Sequence, residues 1–392
     1  MPAKGLHEMP SASHLDSRVS RPSVAIVGGG VIGLSIGWRL RQLGCMVTVF
    51  ERGETGRGAS WAAAGMLAAG IEAEPTEEKL FELGRYSQSL WPGFAAELET
   101  AAAIGIGYDA TGMLVCAFTR DQAEKLRRGI EFQSRLGGEF EWLTGRAARE
   151  IEPALSANLV AAVLSRHDHQ VDNRLVTTAL DIAFRRAGGT LLRGEASLDI
   201  VGGRVRGVVT GEKRHPADIT VLAAGAWSRL VAGLPPDAMP PVRPIKGQML
   251  ALTMPPGAPL IRHTVWGAQC YLVPRADGRL LVGATTEERG FDDAITAGGM
   301  LGLLDDAWRT LPGIEDLPIQ ESWTGHRPGS PDDMPILGPC PVEGLVLATG
   351  HHRNGFLLTP ATAALIADYI LNGRSDARMA PFSLDRFGSA RK

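Results

Sequence analysis

The sequence has few cysteines, and nothing around them indicates a disulfide or a metal site. Its 392 residues include four, which have neither a C-x-x-C pairing nor a histidine at zinc spacing: Cys45, Cys116, Cys270 and Cys340. The adjacent residues His351 and His352 have no third ligand at a recognisable spacing. We therefore predict reduced thiols, a cytoplasmic protein and no bound metal.

The sequence also lacks a long apolar run and an excess of charge. Its longest apolar stretch, residues 61–71, is too short to cross a bilayer, and residues 1–21 have no apolar segment typical of a secretory signal. With 40 basic and 43 acidic residues, the net charge of −3 gives no electrostatic case for nucleic acid. We expect a disordered tail over residues 1–21, no membrane span, no nucleic-acid partner and a small-molecule ligand.

Glycine, by contrast, is abundant, with 48 residues, and three glycines follow the first apolar segment in a Gly-x-Gly-x-x-Gly pattern. Residues Val24–Val27 lead into Gly28, Gly30 and Gly33, and helical spacing begins at Leu34. This pattern predicts a strand, a tight turn and a helix. In such a unit the first glycine permits the turn, the second lets backbone approach a pyrophosphate, and the third lets helix and strand pack closely.

The next predicted strand supports a nucleotide ligand. Residues 46–50 are mainly apolar and end at Glu51, which lies 18 residues after Gly33. An acidic side chain at this point can accept hydrogen bonds from both ribose hydroxyls of an adenosine. The two segments predict a dinucleotide-binding unit. On this evidence alone, an NAD-dependent enzyme or a nucleotide-binding protein without activity stays open.

Further motifs resemble those of a known family. Glu51-Arg52 is followed by Ala-Ser-Trp-Ala-Ala-Ala-Gly-Met at residues 59–66, Cys-Tyr-Leu-Val-Pro-Arg at 270–275, His-Arg-Pro-Gly at 326–329 and His-His-Arg-Asn-Gly at 351–355. Together they resemble the D-amino-acid-oxidase-like FAD oxidoreductases, and most of all the glycine oxidases of thiamine biosynthesis. The resemblance implies FAD, bound non-covalently because residues 323–333 contain no cysteine that could attach a flavin.

The motifs and the resemblance together indicate which residues hold the cofactor. These are Gly28, Gly30, Val31, Ile32, Gly33, Glu51, Arg52, Ser60, Ala64, Gly65, Met66, Ala196, Ala224, Gly225, His326, His351, Arg353, Asn354, Gly355, Phe356 and Leu357. For the Ala224-Gly225 turn, a plain buried turn is an alternative that the sequence leaves open.

The resemblance also implies the residues that act on substrate. It assigns a carboxylate-binding and catalytic role to Arg327 and Tyr271, and a second substrate contact to Arg353. A guanidinium suits a carboxylate because it can donate two parallel hydrogen bonds. Three alternatives stay open: a salt bridge from Arg327 to Asp332 or Asp333, a core position for Tyr271, and an exposed loop position for Arg353.

The implied activity is that of a flavoprotein oxidase. Glycine and other small amines or D-amino acids would be oxidised to the imino acid, then hydrolysed to the oxo acid and ammonia, while O2 is reduced to hydrogen peroxide. The imino acid from glycine would supply the thiazole of thiamine, with thiazole-synthesis enzymes as partners. A D-amino-acid or sarcosine dehydrogenase using another electron acceptor is the alternative, and a homo-oligomer stays open.

Two positions depart from the resembled enzymes, and both belong to their substrate pockets. This chain has Gln269 where those enzymes carry a histidine, and Thr286 where they carry a methionine. The preferred substrate among glycine, sarcosine and small D-amino acids therefore stays open.

The pattern of elements predicts an α/β fold. We expect a Rossmann-like FAD-binding domain from residues 22–107, 152–240 and 322–385, with an inserted antiparallel-sheet substrate domain of α+β type from residues 108–151 and 241–321. Two hairpins are predicted, one turned by Gly202-Gly203 and one across residues 275–278. The last helix should be capped by Thr359, start at Pro360 and end before Gly373.

Overall fold

The computed structural model describes residues 21–72, 77–255 and 257–390, so the predicted tail lies outside the described residues except for Arg21. Its strands, in chain order, are β1 (Ser23–Val27), β2 (Met46–Glu51), β3 (Met66–Leu67), β4 (Met113–Ala117), β5 (Glu141–Thr144), β6 (Ala161–Ser165), β7 (His169–Gln170), β8 (Thr190–Arg193), β9 (Ala196–Val201), β10 (Arg204–Thr210), β11 (Lys213–Pro216), β12 (Ile219–Leu222), β13 (Arg243–Thr253), β14 (Thr264–Trp266), β15 (Tyr271–Pro274), β16 (Arg279–Gly283), β17 (Ile319–Gly329), β18 (Ile336–Pro339) and β19 (Leu345–Thr349). The α-helices are α1 (Val31–Gln42), α2 (Ala59–Ala62), α3 (Glu78–Ala102), α4 (Arg120–Arg135), α5 (Gly145–Ile151), α6 (Asn173–Arg186), α7 (Ala297–Thr310) and α8 (Thr359–Asn372). Within the described ranges, no helix is long and apolar enough to cross a membrane.

The first sheet contains the glycine-rich turn. Its order is β18-β19-β12-β1-β2-β8, and every pair from β19 to β8 is parallel, with β18 antiparallel at one edge. Helices α1, α3, α6 and α8 pack together in the apolar core that covers one face of this sheet. This arrangement confirms the predicted Rossmann-like fold, because parallel strands joined through helices need helices to cover their faces.

The second large sheet is mainly antiparallel. Its order is β17-β13-β16-β15-β14-β4-β6-β5, and only the β14–β4 pair is parallel. It has a core of its own, in which α7 packs against the sheet. A three-stranded sheet, β11-β10-β9, carries the first predicted hairpin, with positive φ at Gly202 (61°) and Gly203 (77°). The second predicted hairpin is β15–β16.

Two strands depart from the predicted division of the chain. The predicted boundaries place residues 152–240 and 322–385 with the first sheet, but β6 and most of β17 pair within the second. The reason is backbone pairing with partners distant in sequence: β6 lies between β4 and β5, and β17 pairs with β13 from Arg243 to Leu252. As a result, residues 322–329 belong to the second sheet. The division into two domains stays a proposal.

Helix α8 begins differently from the prediction. Its first residue is Thr359, and Leu358 occupies the N-cap position. The Thr359 hydroxyl donates to the carbonyl of Gly355 (2.8 Å) instead of accepting from the first helical turn. The predicted cap was wrong because the preceding turn is already helical, which offers the hydroxyl a carbonyl four residues back. The predicted end is confirmed by Gly373, whose φ is 67°.

A substitution at Gly33 tests the packing of α1 on β1. A Cβ on Gly33 would lie 1.9 Å from the Gly28 carbonyl oxygen, so Gly33→Ala should lower the free energy of unfolding by about 1–3 kcal/mol. The matched control is Gly302→Ala in α7, where a Cβ would meet nothing within 4 Å; it should stabilise by up to ~1 kcal/mol. Urea unfolding followed by circular dichroism measures both, and equal stability of the two variants would contradict the close approach.

Candidate active site

One large cavity takes in residues of both large sheets. Its volume is about 1270 Å³, above the usual 300–1,000 Å³ of small-ligand pockets. Its walls include the β1–α1 turn, the end of β2, helix α2, and parts of β13, β15 and β17. Among the predicted cofactor and substrate residues, those lining it are Gly28, Gly30, Val31, Ile32, Glu51, Arg52, Ser60, Ala64, Gly65, Met66, Ala196, Ala224, Gly225, Tyr271, His326, Arg327, His351, Arg353, Gly355 and Phe356.

Three predicted cofactor residues do not line the cavity. Gly33 packs against Gly28, as described above. Asn354 is buried, and its backbone N–H donates to the carbonyl of His351 (2.8 Å). Leu357 is buried, and its carbonyl accepts hydrogen bonds from two side chains of α3. In this structure these residues shape the backbone behind the cavity, and their contact with a cofactor stays a prediction.

Glycines lead into the start of α1, which borders the cavity. Gly28 has a φ of 111°, and a Cβ there would lie 2.3 Å from the carbonyl oxygen of Ala223. At Gly30 a Cβ would point at the Ser60 hydroxyl, which accepts from the N–H of Val31 (2.9 Å). The first amides of a helix have no partner within it, and together with the helix dipole they bind anions. This glycine-lined helix start fits the diphosphate of FAD.

The carboxylate of Glu51 is held at the end of β2. Its two oxygens accept from the N–H groups of Gly29 (2.8 Å) and Gly53 (2.9 Å). Each carboxylate oxygen has further acceptor capacity, so the side chain can also receive ribose hydroxyls. Beside it the Arg52 guanidinium lies over the ring of Trp227, 4.0 Å from its centroid. The donor and acceptor set here fits the adenosine half of FAD.

Sequence reasoning missed the residue that holds the Ala64-Gly65 backbone, which is Arg275. Its guanidinium is buried and donates to the carbonyl of Ala64 (2.6 Å) and to that of Val171 (2.8 Å). Burial lowers the pKa of Arg275 to about 10, which leaves it charged at neutral pH. Gly65 has a φ of 68° in the same turn. In the sequence Arg275 looks like an ordinary hairpin residue, so no local signal indicated this role.

Arg327 projects from β17 into the cavity across the backbone of β13. A Cβ on Gly247 would lie 2.6 Å from its Nη1 atom, so the guanidinium fits only because residue 247 has no side chain. Nη1 donates to the carbonyl of Thr285 (3.1 Å). The alternative of a salt bridge to Asp332 is wrong, because Asp332 pairs with Arg386 (2.7 Å). Among the described residues, no carboxylate forms an ion pair with Arg327, which leaves its charge available to a ligand.

Tyr271 lies on β15 against two neighbours that define its position. A Cβ on Gly283 would lie 2.7 Å from the tyrosine ring, and the ring of Trp266 meets it edge-on at 5.1 Å. Burial raises the pKa of Tyr271 to about 12, although Arg327 opposes the shift. The phenol is therefore neutral and can donate a hydrogen bond. The alternative of a core position for Tyr271 describes only part of its environment. The ring packs in an apolar cluster, and the residue also lines the cavity.

Arg353 is neither exposed nor unpartnered. Its side chain is 26% exposed, its Nη2 donates to Glu77 (2.6 Å), and its Nε lies 3.3 Å from Glu72. The exposed-loop alternative is therefore wrong. Because two carboxylates already balance its charge, its predicted role as a second substrate contact has less support from the geometry than that of Arg327.

The two adjacent histidines are uncharged at neutral pH. Burial lowers the pKa of each to about 3, and for His352 the nearby charges of Arg327 and Arg353 act in the same direction. His351 shares a hydrogen bond of 3.1 Å with the hydroxyl of Thr362. The other predicted partner of Arg327, Asp333, lies 3.5 Å from His352. Neither imidazole adds positive charge to the site.

The positions that depart from the resembled enzymes, Gln269 and Thr286, both line the cavity. Glu72, Trp227, Met249 and Gly247 line it too, and sequence reasoning did not select them. Glu72 stands in a short acidic stretch that looks like a solvated surface, and Gly247 is a lone glycine inside a strand. Acidic stretches and single glycines in strands are common outside functional sites. These two residues could therefore be recognised only from their neighbours in the folded structure.

Comparison with known proteins agrees with this geometry. Residues 23–369 match the DAO family, described as FAD dependent oxidoreductase. The chain therefore belongs to the DAO family of FAD-dependent oxidoreductases, which confirms the predicted family and its cofactor.

Several relatives are glycine oxidases or contain a ThiO unit. The chain is 38% identical to a glycine oxidase of Geobacillus kaustophilus over 93% of this chain and 97% of that protein. A solved glycine oxidase structure from the same species has a TM-score of 0.86 at 37% identity, covering 94% of this chain and 99% of that one. A bifunctional ThiO/ThiG protein of Trichormus variabilis is 37% identical over 93% of this chain, which spans 55% of its length.

Replacing Glu51 tests the adenosine end of the cavity. Glu51→Gln replaces one of the two oxygens that accept from Gly29 and Gly53 by an amide group that can only donate, so FAD should bind at least tenfold more weakly, for a loss of about 1.5–3 kcal/mol. The measurement is the dissociation constant of FAD for apoprotein, from flavin fluorescence. Glu82→Gln, at a side chain that is 61% exposed on α3 and does not line the cavity, is the control and should bind as wild type. Equal affinity in the two variants would remove Glu51 from the cofactor site.

Proposed function

We propose that this protein is a flavoprotein oxidase that converts glycine and other small amines or D-amino acids to the imino acid, reducing O2 to hydrogen peroxide. The imino acid then hydrolyses to the oxo acid and ammonia. The observation that carries the proposal is the guanidinium of Arg327, which is not ion-paired with any described carboxylate and faces the cavity beside a neutral phenol, Tyr271.

The chain's own residues would bind and orient the substrate. Arg327 would donate two parallel hydrogen bonds to the substrate carboxylate, and Tyr271 would donate a third from the neighbouring part of the sheet. FAD, when bound, supplies the acceptor for the hydride from Cα and passes the electrons to O2. Because the cofactor performs this step, the protein contributes orientation and electrostatics. The cofactor residues named above, and Arg353 as a second substrate contact, complete the proposed site.

The size of the substrate is set by residues around Tyr271. Met249, Trp266, Gln269 and Thr286 line the same cavity. A pocket walled by these side chains next to the flavin would favour substrates with a short side chain. This supports glycine, sarcosine and small D-amino acids as the substrate class.

A role in thiamine synthesis is part of the proposal. The ThiO/ThiG relative joins a region that matches this chain to a second unit in one polypeptide. We infer that the imino acid formed from glycine supplies the thiazole, that thiazole-synthesis enzymes are partners, and that the protein works in the cytoplasm. Assembly into a homo-oligomer is a further expectation.

The activity is tested with purified holoenzyme in a peroxidase-coupled assay. Glycine, sarcosine and D-alanine are the substrates, and peroxide release is the expected result. If amines reduce the flavin but no peroxide forms, while an artificial dye is reduced, the protein is a dehydrogenase instead. If none of these amines reduces the flavin, the proposed substrate class is wrong.

Arg327→Ala tests the carboxylate contact. The variant should lose two charge-assisted hydrogen bonds worth about 1.5–3 kcal/mol each, so kcat/KM for glycine should fall a hundredfold or more. Arg327→Lys keeps the charge without the planar fork and should lose less. The flavin absorbance spectrum serves as a control that FAD is retained. Wild-type turnover in Arg327→Ala would exclude this residue from the site.

Non-covalent binding of FAD is tested by denaturation. No cysteine is among the described residues that line the cavity, so acid precipitation should leave all the yellow colour in the supernatant. Absorbance at the flavin maximum measures how much flavin is in the pellet and how much is in the supernatant. Colour that stays with the precipitated protein would show a covalent bond.

A further inference from the structure

Glu72 is a buried carboxylate in the cavity that the proposed reaction does not yet use. Its side chain is 13% exposed, and it lines the same cavity as Tyr271 and Arg327. One oxygen lies 3.3 Å from Nε of Arg353. A carboxylate is rarely buried to this degree without a charged partner. Arg353 is the visible partner, but Glu77 already pairs with it more closely, at 2.6 Å.

The backbone before Glu72 is held in place by another carboxylate. Asp168 accepts from the N–H of Gly70 (2.9 Å) and from that of Ile71 (3.0 Å). It also accepts from the side chain of Gln88 in α3 (2.9 Å). Glu72 is thus presented to the cavity from a fixed backbone.

The charges around Glu72 come from several elements. Arg353 follows β19, Arg327 lies on β17, Asp168 precedes β7 and Glu77 precedes α3, while Tyr271 on β15 is a titratable group whose pKa the charge of Glu72 raises. Burial is the largest influence and raises the pKa of Glu72 to about 7, with Arg353 opposing and Asp168 adding to the rise. Near neutral pH this group can therefore both give and take a proton.

We propose that Glu72 receives the ammonium group of the substrate and takes a proton from it before oxidation. The inference rests on the proposed function, because it concerns the same substrate in the same site. One N–H bond of the ammonium breaks, an O–H bond forms on the Glu72 carboxylate, and the substrate is left with a neutral amine. No other reactant is needed, and the proton later passes from Glu72 to water.

The step meets a requirement of the reaction. Small amino acids carry an ammonium group at neutral pH, and only the neutral amine has the lone pair that drives loss of hydride from Cα. Arg327 fixes the carboxylate end, so the nitrogen must lie elsewhere in the same cavity. A carboxylate there first pairs with the ammonium, which lowers the cost of burying that charge. After the transfer, a neutral acid faces a neutral amine.

The decisive variant is Glu72→Gln, with kcat/KM for glycine measured across pH. Wild type should show a rise in kcat/KM on the acid side near pH 7, because the carboxylate must be ionised to accept the proton. In Glu72→Gln this rise should disappear, and kcat/KM near neutral pH should fall about a hundredfold, as for loss of proton-transfer catalysis. Activity should recover towards wild type above the ammonium pKa of free glycine, where the substrate arrives as the neutral amine.

Glu77→Gln is the matched control. It removes the other carboxylate that pairs with Arg353, but Glu77 does not line the cavity. Any loss in this variant should be the same at all pH values. If Glu72→Gln behaved likewise, with a uniform loss and an unchanged profile, Glu72 would be only a counterion of Arg353 and the proposal would be overturned.

A binding measurement separates this inference from the activity itself. Acetate has the carboxylate of glycine but no amine, so its dissociation constant for holoenzyme, measured by calorimetry, should stay the same or decrease in Glu72→Gln. Weaker acetate binding would mean that the variant disturbs the Arg327 end, contradicting the assignment. If wild-type enzyme oxidises no amine, the proposed function fails. If wild-type enzyme oxidises amines but Glu72→Gln has the same pH profile as wild type, the proposed function stands and the proposed role of Glu72 is wrong.

Discussion

The cavity depends on the buried guanidinium of Arg275. It extends from the turn between β15 and β16 of the second sheet and donates to the carbonyls of Ala64 and Val171, in segments that follow β2 and β7. Its Nη1 also donates to the side chain of Gln170 (2.9 Å). A charged group buried this deeply is costly without hydrogen bonds, so the backbone stretches that supply the carbonyls are held together, while Nε has no hydrogen bond and lies 4.0 Å from Asp172. The backbone around Ala64 and the second sheet are thereby fixed to one another.

The arginines of the site differ in what balances their charge. Arg275 is surrounded by carbonyls and lies 4.0 Å from Asp172, and Arg353 lies between two carboxylates. Arg327 donates to a single carbonyl. Of these three, Arg327 therefore has the least compensated charge. In the proposed function, the substrate carboxylate would gain more at Arg327 than at Arg275 or Arg353.

How much the sequence could predict depends on how local each feature is. The turn around Gly28 and the position of Glu51 follow from short patterns, and the structure places both at the cavity. The pairing of β6 and β17 with the second sheet depends on partners far along the chain, so the predicted boundaries missed it. No sequence pattern marks Glu72 or Gly247 as a site residue. Folding places Glu72 at the cavity and Gly247 against the guanidinium of Arg327, and neither position can be deduced from neighbouring residues in the sequence.

The contact between Gly247 and Arg327 limits how this enzyme could change. Any side chain at residue 247 would occupy the space of the guanidinium, so Arg327, the proposed carboxylate contact, depends on a glycine in the neighbouring strand. Gln269 and Thr286 lie outside that contact while still bordering the cavity. In the proposed function, substrate preference could therefore change through substitutions at Gln269 and Thr286 while Arg327 and Gly247 stay the same. Such variants should accept other amino acids sooner than ligands without a carboxylate.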